Sequence, residues 1–486
     1  MNFQPNLDTL FNPKGIAVIG ASTHPGKFGF VALHNILAAG FEGNVFATNP
    51  KTPEILGVQT LESVKSIPES SIDVAMICLG PEQTIAVLPE LAEKGVKAGF
   101  VVSGGFRESG FEGTELEKEL VEVANSLEMT IAGPNGQGFV STPANLCSQI
   151  VSPYPPTGNL SIASQSGNIL SAMLNQARAK NIGIARAISI GNQAQVDIAE
   201  YIRYFGRDPE TKVIVSYVEG LPNGRDFYDS LKEVSCGKPV IIIRGGTTSD
   251  GAKAASSHTG SMASDQKIFE TAVTQAGAIL ASDPNEAFEF AAAFATKPLP
   301  NGRKVIVVTT AGGWGVITAD AISRSRLDLM ELPQDLEEQI NQFLPPRWSK
   351  NNPVDLAGGE TRDTIPSLIP LILGHPQVDS MIFLGLGIQG NVARTYKESP
   401  VATAATEKMA NFHISQEKRY AQAIIKSSKD FGKPVFVATE IGITDTHNAG
   451  PKALIDAGET CFSSPLSAVK ALEAMANFSH REHEGC

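Results

Sequence analysis

Ile16-Ala17-Val18-Ile19-Gly20-Ala21-Ser22 is an apolar run that stops on a glycine and two small residues. Such a run, bounded by glycine, reads as a strand buried on both faces, as strands of parallel sheets are. Its continuation, Thr23-His24-Pro25-Gly26-Lys27-Phe28-Gly29, opens a helical pattern over Phe28 to Ala39. A strand that enters a helix through a small-residue turn is the first unit of a doubly wound sheet, and the amides of that turn suit a pyrophosphate. Gly20, Ala21, Ser22 and Lys27 are therefore candidate ligand-binding residues.

The same rhythm continues outward from this stretch. Strand patterns at Asn44 to Ala47, Val74 to Leu79, Gly99 to Val102 and Thr130 to Ala132 alternate with helical ones such as Glu115 to Leu127. The second strand ends in Thr48-Asn49-Pro50-Lys51, where an NAD-binding domain would carry an acidic ribose partner. Lys51 suits a phosphorylated ribose better than a free diol, and Asn49 stands beside it. This speaks against an NAD-type oxidoreductase. The fifth strand runs into Gly133-Pro134-Asn135-Gly136-Gln137-Gly138, at the sheet edge where ligands meet open α/β sheets. There Asn135 offers an amide donor to a carboxylate or acyl phosphate. A plainer reading stands beside these: glycines shaping turns and a solvated lysine.

Ser152-Pro153-Tyr154-Pro155-Pro156-Thr157-Gly158 reads as a linker, and Lys297-Pro298-Leu299-Pro300-Asn301-Gly302 as a second break. Between them, strands at Asn159 to Ala163, Ala185 to Ile190, Lys212 to Tyr217 and Pro239 to Arg244 predict a smaller α/β sheet; Val305 to Thr309, Ser380 to Leu384 and Pro434 to Thr439 predict a third unit. The expected fold is α/β with three doubly wound domains, over residues 1–150, 151–298 and 299–486.

Two segments of the second domain carry chemistry. Ser164-Gln165-Ser166-Gly167 joins a strand to a helix, so its amides, the helix dipole and two hydroxyls form an anion cradle, or an ordinary serine cap. Arg244-Gly245-Gly246-Thr247-Thr248 leads into a long loop of small residues, Ser249 to Ser261, that carries His258. A neutral imidazole is nucleophilic near neutral pH, its phosphoramidate gives the phosphoryl group up readily, and small neighbours leave room for both. Glu219, in Tyr217-Val218-Glu219-Gly220 at the end of a strand, is placed to bond the other ring nitrogen and fix the tautomer.

Composition narrows the rest. A net charge of −12 disfavours a nucleic-acid surface, so phosphorylated ligands must be held locally. No apolar run approaches the roughly 20 residues of a membrane span, and the start of the chain lacks a signal-peptide pattern, so a cytoplasmic protein is expected. The five cysteines lack any CxxC pair and the eight histidines any HxxxH or HExxH pair, so neither a disulfide framework nor a metal site is expected.

Taken together, these motifs resemble the alpha subunit of NDP-forming acyl-CoA synthetases, typified by ADP-forming acetate-CoA ligase and related to succinyl-CoA synthetase. The resemblance covers essentially the whole chain. Phe11-Asn12-Pro13-Lys14-Gly15-Ile16 to Ser22 is similar to the family's CoA-binding domain, and Ser164 to Gly167 with Ala255-Ser256-Ser257-His258-Thr259-Gly260 to its phosphate site and phosphohistidine. Thr310-Ala311-Gly312-Gly313-Trp314-Gly315 and Asn352-Pro353-Val354-Asp355-Leu356 resemble its second ligase domain. The resemblance implies a Rossmann-like CoA-binding domain followed by two flavodoxin-like ligase domains. It implies interconversion of acyl-CoA, ADP and phosphate with acid, CoA and ATP, with Glu219 steadying phosphohistidine and Asn135 near the acyl group. It further implies an ATP-grasp beta subunit holding ATP/ADP and Mg2+, in a hetero-oligomer, paired as a heterotetramer. One departure stands out: where the family's segment often reads GPNC, Gly136 replaces the cysteine. A CoA-binding regulatory protein without turnover is the alternative.

Overall fold

The structure, a computed structural model, describes residues 4–150, 154–248, 266–359, 361–401, 403–441, 445 and 447–484. His258 lies outside the described residues. The chain forms two compact units, Met1–Ala179 with Gly183–Ala291, and Lys180–Ile182 with Ala292–Cys486.

The first unit holds two sheets. Along the first run Glu54–Ile55, Val58–Leu61, Asn44–Thr48, Gly15–Ile19, Val74–Ile77, Ala98–Val101 and Thr130–Ala132. All pairs are parallel except the edge pair Glu54–Ile55 with Val58–Leu61. Strand order reverses between Gly15–Ile19 and Val74–Ile77, so both strand ends open onto the crevice that a Rossmann sheet offers to a ligand. These strands form because their interiors are continuously apolar: every residue of Gly15–Ile19, Val74–Ile77 and Ala98–Val101 is buried.

The second sheet runs Ile279–Ala281, Val240–Arg244, Val213–Val218, Thr157–Ser164 and Ile184–Ser189, all parallel, and ends in the antiparallel strands Gly138–Ser141 and Leu146–Gln149. Its order reverses between Thr157–Ser164 and Val213–Val218, a flavodoxin-like arrangement. Two details differ from the sequence reading. The sheet is no smaller than the first, since each has seven strands among the described residues. Residues 138–149 also pair here, although the sequence assigns them to the first domain. The hairpin thus pairs with the second sheet while packing onto elements of the first. Phe139 inserts between Phe11 and Phe100, with centroids 5.9 Å from each, and buried Asn35 donates its side-chain amide to the Gln149 carbonyl at 2.7 Å. A fully buried phenylalanine contributes about 1.5–3 kcal/mol, enough to seat a short hairpin.

The second unit contains one sheet, in the order Asp328–Leu329, Lys304–Thr309, Ser380–Leu384, Val435–Ala438 and Cys461–Phe462, with Val354–Asp355 also pairing onto Lys304–Thr309. Every pairing is parallel. Cys78 and Cys147 are not disulfide-bonded. Among the described residues no helix is long and apolar enough to cross a membrane.

Candidate functional site

The turn after the first strand is held from two sides. Gly20 has φ +84°, a left-handed conformation that favours glycine, and its N–H donates to the Thr48 hydroxyl at 3.1 Å. A Cβ on Gly29 would fall onto the Gly20 carbonyl and lie 2.9 Å from Ala21 Cα, so glycine there lets the helix Phe28–Ala38 start against the turn. Ser22 is half-buried and its hydroxyl accepts the His24 N–H at 3.1 Å. Asn49 works inward: its Nδ2 donates to the Ala21 carbonyl at 2.9 Å, and its Oδ1 accepts from the N–H groups of Lys51 at 2.8 Å and Thr52 at 3.0 Å. Its side chain thus shapes the crevice and is used up in doing so. Lys27 and Lys51 are exposed, Lys27 at the cap position of the helix.

A cavity of about 400 Å3 opens where the carboxyl edges of the first two sheets meet. Asn135, Gly136, Gln165, Ser166 and Gly167 line it together. Phe28, Val102 and Ile150 give it an apolar wall. Ser164 stands behind the lining: its hydroxyl donates to the Ser166 carbonyl at 2.7 Å and accepts the Ser166 N–H at 3.2 Å, fixing the turn into the helix Gly167–Ala179.

Gln165 is buried and ties the cavity to Glu219. Its Oε1 accepts from the N–H groups of Glu219 at 2.5 Å and Gly220 at 3.0 Å, and its Nε2 donates to the Gly220 carbonyl at 2.7 Å. Glu219 follows the strand Val213–Val218 at the point where the order of the second sheet reverses. Burial, together with the neighbouring Glu219 carboxylate that accepts its hydrogen bond, holds the Tyr217 phenol well above its ordinary range. A Cβ on Gly245 would collide with the Tyr217 hydroxyl and lie 3.3 Å from Glu219 Cγ. The segment that leads to residue 258 therefore leaves its strand directly beside Glu219.

Sequence reasoning missed a polar cluster beside the cavity. Asn192 donates to Glu108 Oε2 at 2.5 Å and to Glu117 Oε2 at 2.8 Å, and its Oδ1 accepts from Asn135 Nδ2 at 3.3 Å. Arg107 pairs with Glu117 at 3.4 Å and also donates to the Asn192 carbonyl. Burial pushes the Glu117 carboxyl above its usual range, against the Asn192 hydrogen bond and the Arg107 charge. For Glu108 burial acts in the same direction, but hydrogen bonds from Asn192 and from the backbone of Gly105 and Phe106 outweigh it and hold the carboxyl low. The available signal was the polar Gly191-Asn192-Gln193 immediately after a strand at a sheet edge. Among the described residues, no group of three His, Cys, Asp or Glu is placed to hold a metal ion.

Three family models match the chain in succession: a CoA binding domain over residues 14–142, a succinyl-CoA ligase like flavodoxin domain over 157–294 and a ligase-CoA domain over 305–393. The alpha subunit of ADP-forming acetate–CoA ligase I from Pyrococcus furiosus is 35% identical over 480 residues, covering 98% of each chain. The chain belongs to the alpha-subunit family of NDP-forming acyl-CoA synthetases. The alpha subunit of ligase II from the same organism is 39% identical over 376 residues, covering 77% of this alpha-type chain and 81% of that one. The dinucleotide forming acetyl-coenzyme A synthetase 1 of Ca. Korarchaeum cryptofilum, solved in complex with phosphate and ADP, superposes with a TM-score of 0.85 at 32% identity. It covers 99% of this chain and 98% of its own. The fold of this alpha-type subunit is thus that of the acyl-CoA synthetase family, with a CoA-binding domain ahead of flavodoxin-like ligase domains.

Proposed function

We propose that this chain is the phosphoryl-carrying subunit of an NDP-forming acid–CoA ligase. The observation that carries the reading is the cavity in which the Asn135–Gly136 loop of the first sheet meets the Gln165–Gly167 turn of the second, with Glu219 tied to Gln165 from behind. CoA lies along the Gly20–Ser22 turn, its phosphates met by turn amides and by Lys27 and Lys51. Phosphate sits at Ser164–Gly167, where the Ser166 hydroxyl and a helix N-terminus favour an anion. A phosphate oxygen attacks the thioester carbonyl, the carbon–sulfur bond breaks, and CoA thiolate leaves. The resulting acyl phosphate, with its carbonyl near Asn135, gives its phosphoryl group to a ring nitrogen of His258 as the carboxylate departs. Glu219 accepts from the other ring nitrogen and spreads the imidazolium charge. ADP then takes the phosphoryl group on an ATP-grasp beta subunit, which supplies the Mg2+ site; the working form is a hetero-oligomer.

The regulatory alternative is not favoured, because relatives that match almost the whole chain are named as ligase subunits. The test is direct. With acyl-CoA and radioactive phosphate, or with a nucleotide-binding partner and ATP, the wild-type chain acquires an acid-labile label, and His258→Ala acquires none. A label that survives the substitution rules out the relay.

A further inference from the structure

Asn192 comes from the loop after Ile184–Ser189 in the second sheet, yet its hydrogen bonds all reach segments around the first sheet, Glu117 on the helix Phe111–Ser126 and the others in the turns. Its N–H donates to the Pro134 carbonyl at 2.8 Å, its carbonyl accepts from Arg107, and both side-chain N–H groups go to Glu108 and Glu117. The residue is 6% exposed. An amide buried between two carboxylates has a forced orientation. Ionised carboxylates only accept, so Nδ2 must face them and Oδ1 must face the other way. Oδ1 is what meets Asn135, at 3.3 Å, so Asn135 in turn must present its own Nδ2. One N–H of Asn135 is thereby committed to Asn192, and the second is left for the cavity that Asn135 lines.

From this chain of forced choices we infer that Asn192, oriented by Glu108 and Glu117, is a positioning residue that fixes the Asn135 amide as a donor toward the acyl carbonyl. The inference rests on the function proposed above. Asn192 acts through Asn135, which it holds at the angle where a thioester or acyl-phosphate oxygen can be met, and the Arg107–Glu117 pair keeps the arrangement from turning over. A hydrogen-bond chain that begins on charged groups is both stronger and more directional than a neutral one.

The two half-reactions provide the test. In the complex with its nucleotide-binding subunit, His258 is labelled by two routes, from acyl-CoA with radioactive phosphate and from γ-labelled ATP. The acyl-CoA is whichever of acetyl-, butyryl- and phenylacetyl-CoA labels wild type fastest. Only the first route uses the acyl site. Asn192→Asp removes the donors and sets a third carboxylate beside Glu108 and Glu117. Repulsion among the three carboxylates turns the new side chain away from Asn135, so the acyl-CoA route is expected to slow roughly 10- to 100-fold while the ATP route changes by no more than about twofold. The triple variant Glu108→Gln, Glu117→Gln, Asn192→Asp reverses every donor and acceptor yet again leaves an acceptor facing Asn135, and it is expected to recover most of the rate. If Asn192→Asp does not fold, the double variant Glu108→Gln, Glu117→Gln compared with the triple reads the same effect, because the double leaves the Asn192 amide free to flip. Equal slowing of both routes, or no gain from double to triple, overturns the inference. A wild-type complex labelled by neither route overturns the proposed function instead.

Discussion

The second and third sheets share a strand order, and the crevices where that order reverses have different chemistry. In the second sheet the reversal carries Gln165 and Glu219 and opens onto a cavity of about 400 Å3, in which Asn135, Gln137, Gln165 and Asn168 face the apolar Phe28, Val102 and Ile150. In the third, the corresponding edge at Gly385 borders a smaller cavity of about 140 Å3, lined by Trp314, Ile388, Ala438, Thr439, Glu440, Ile441 and Pro465. A second carboxylate of this unit, Glu417, is fully buried and spent on closing a helix. It accepts from the N–H groups of Gly387, Gln389 and Gly390 at the start of Ile388–Lys397. One topology thus supplies two crevices with different side chains, and the phosphoryl chemistry proposed above belongs to only one of them.

The largest effect that would sharpen this contrast is expected at the second crevice. Glu219→Gln keeps the shape but loses the negative charge, so phosphohistidine formation should fall about 100-fold or more in rapid-quench labelling. A change below threefold would remove the distinction between the two carboxylates. Next in size is Gly136→Cys, at the position where the sequence reading noted a departure. A Cβ there would fall against the Ser189 carbonyl and lie 2.7 Å from Phe100 Cζ, and Phe100 is fully buried. Overpacking of this kind costs about 1–3 kcal/mol, to be read by chemical denaturation.

The third crevice gives a comparable effect that depends on pH. Burial pushes the Glu417 carboxyl up to about 7, although hydrogen bonds from the backbone of Gly387, Gly390 and Gln389 oppose the shift. The folded chain therefore binds this proton more tightly than the unfolded chain does. Its contribution is fully present below the ordinary carboxylate range and is lost as pH rises through about 7. Denaturation of the whole chain should show this group costing roughly 2–3 kcal/mol between about pH 5 and pH 8, and Glu417→Gln should flatten that part of the profile. An unchanged profile would mean that the carboxylate is ionised throughout, as one positioned for anion-repelling or acid–base work would be.

The parts of the molecule legible in the sequence are those set by local pattern. Thr130–Ala132 and Ser380–Leu384 form where the apolar runs place them, and the small-residue turns at Gly20 and Ser164 mark the sheet edges correctly. Asn135, Gln165 and Ser166 could be chosen because each follows a strand at such an edge. What sequence could not give was partnership across distance. Asn192 meets Glu108 and Glu117 from 84 and 75 residues away, and no periodicity encodes such pairs. The tasks of Asn49 and Gln165 were likewise hidden, because an amide named for a ligand and an amide consumed by backbone groups look alike until the fold brings those groups within reach.

The hairpin of residues 138–149 has a practical meaning for anyone dissecting the protein. Severing the gene after codon 150 would leave this ribbon on a fragment with no strand to pair with, while stripping the downstream fragment of its outermost rungs and baring Ile184–Ser189 as a sticky margin. A cut placed just ahead of Gly138 would keep the ribbon with its mates, and the downstream piece would be the better candidate for separate expression.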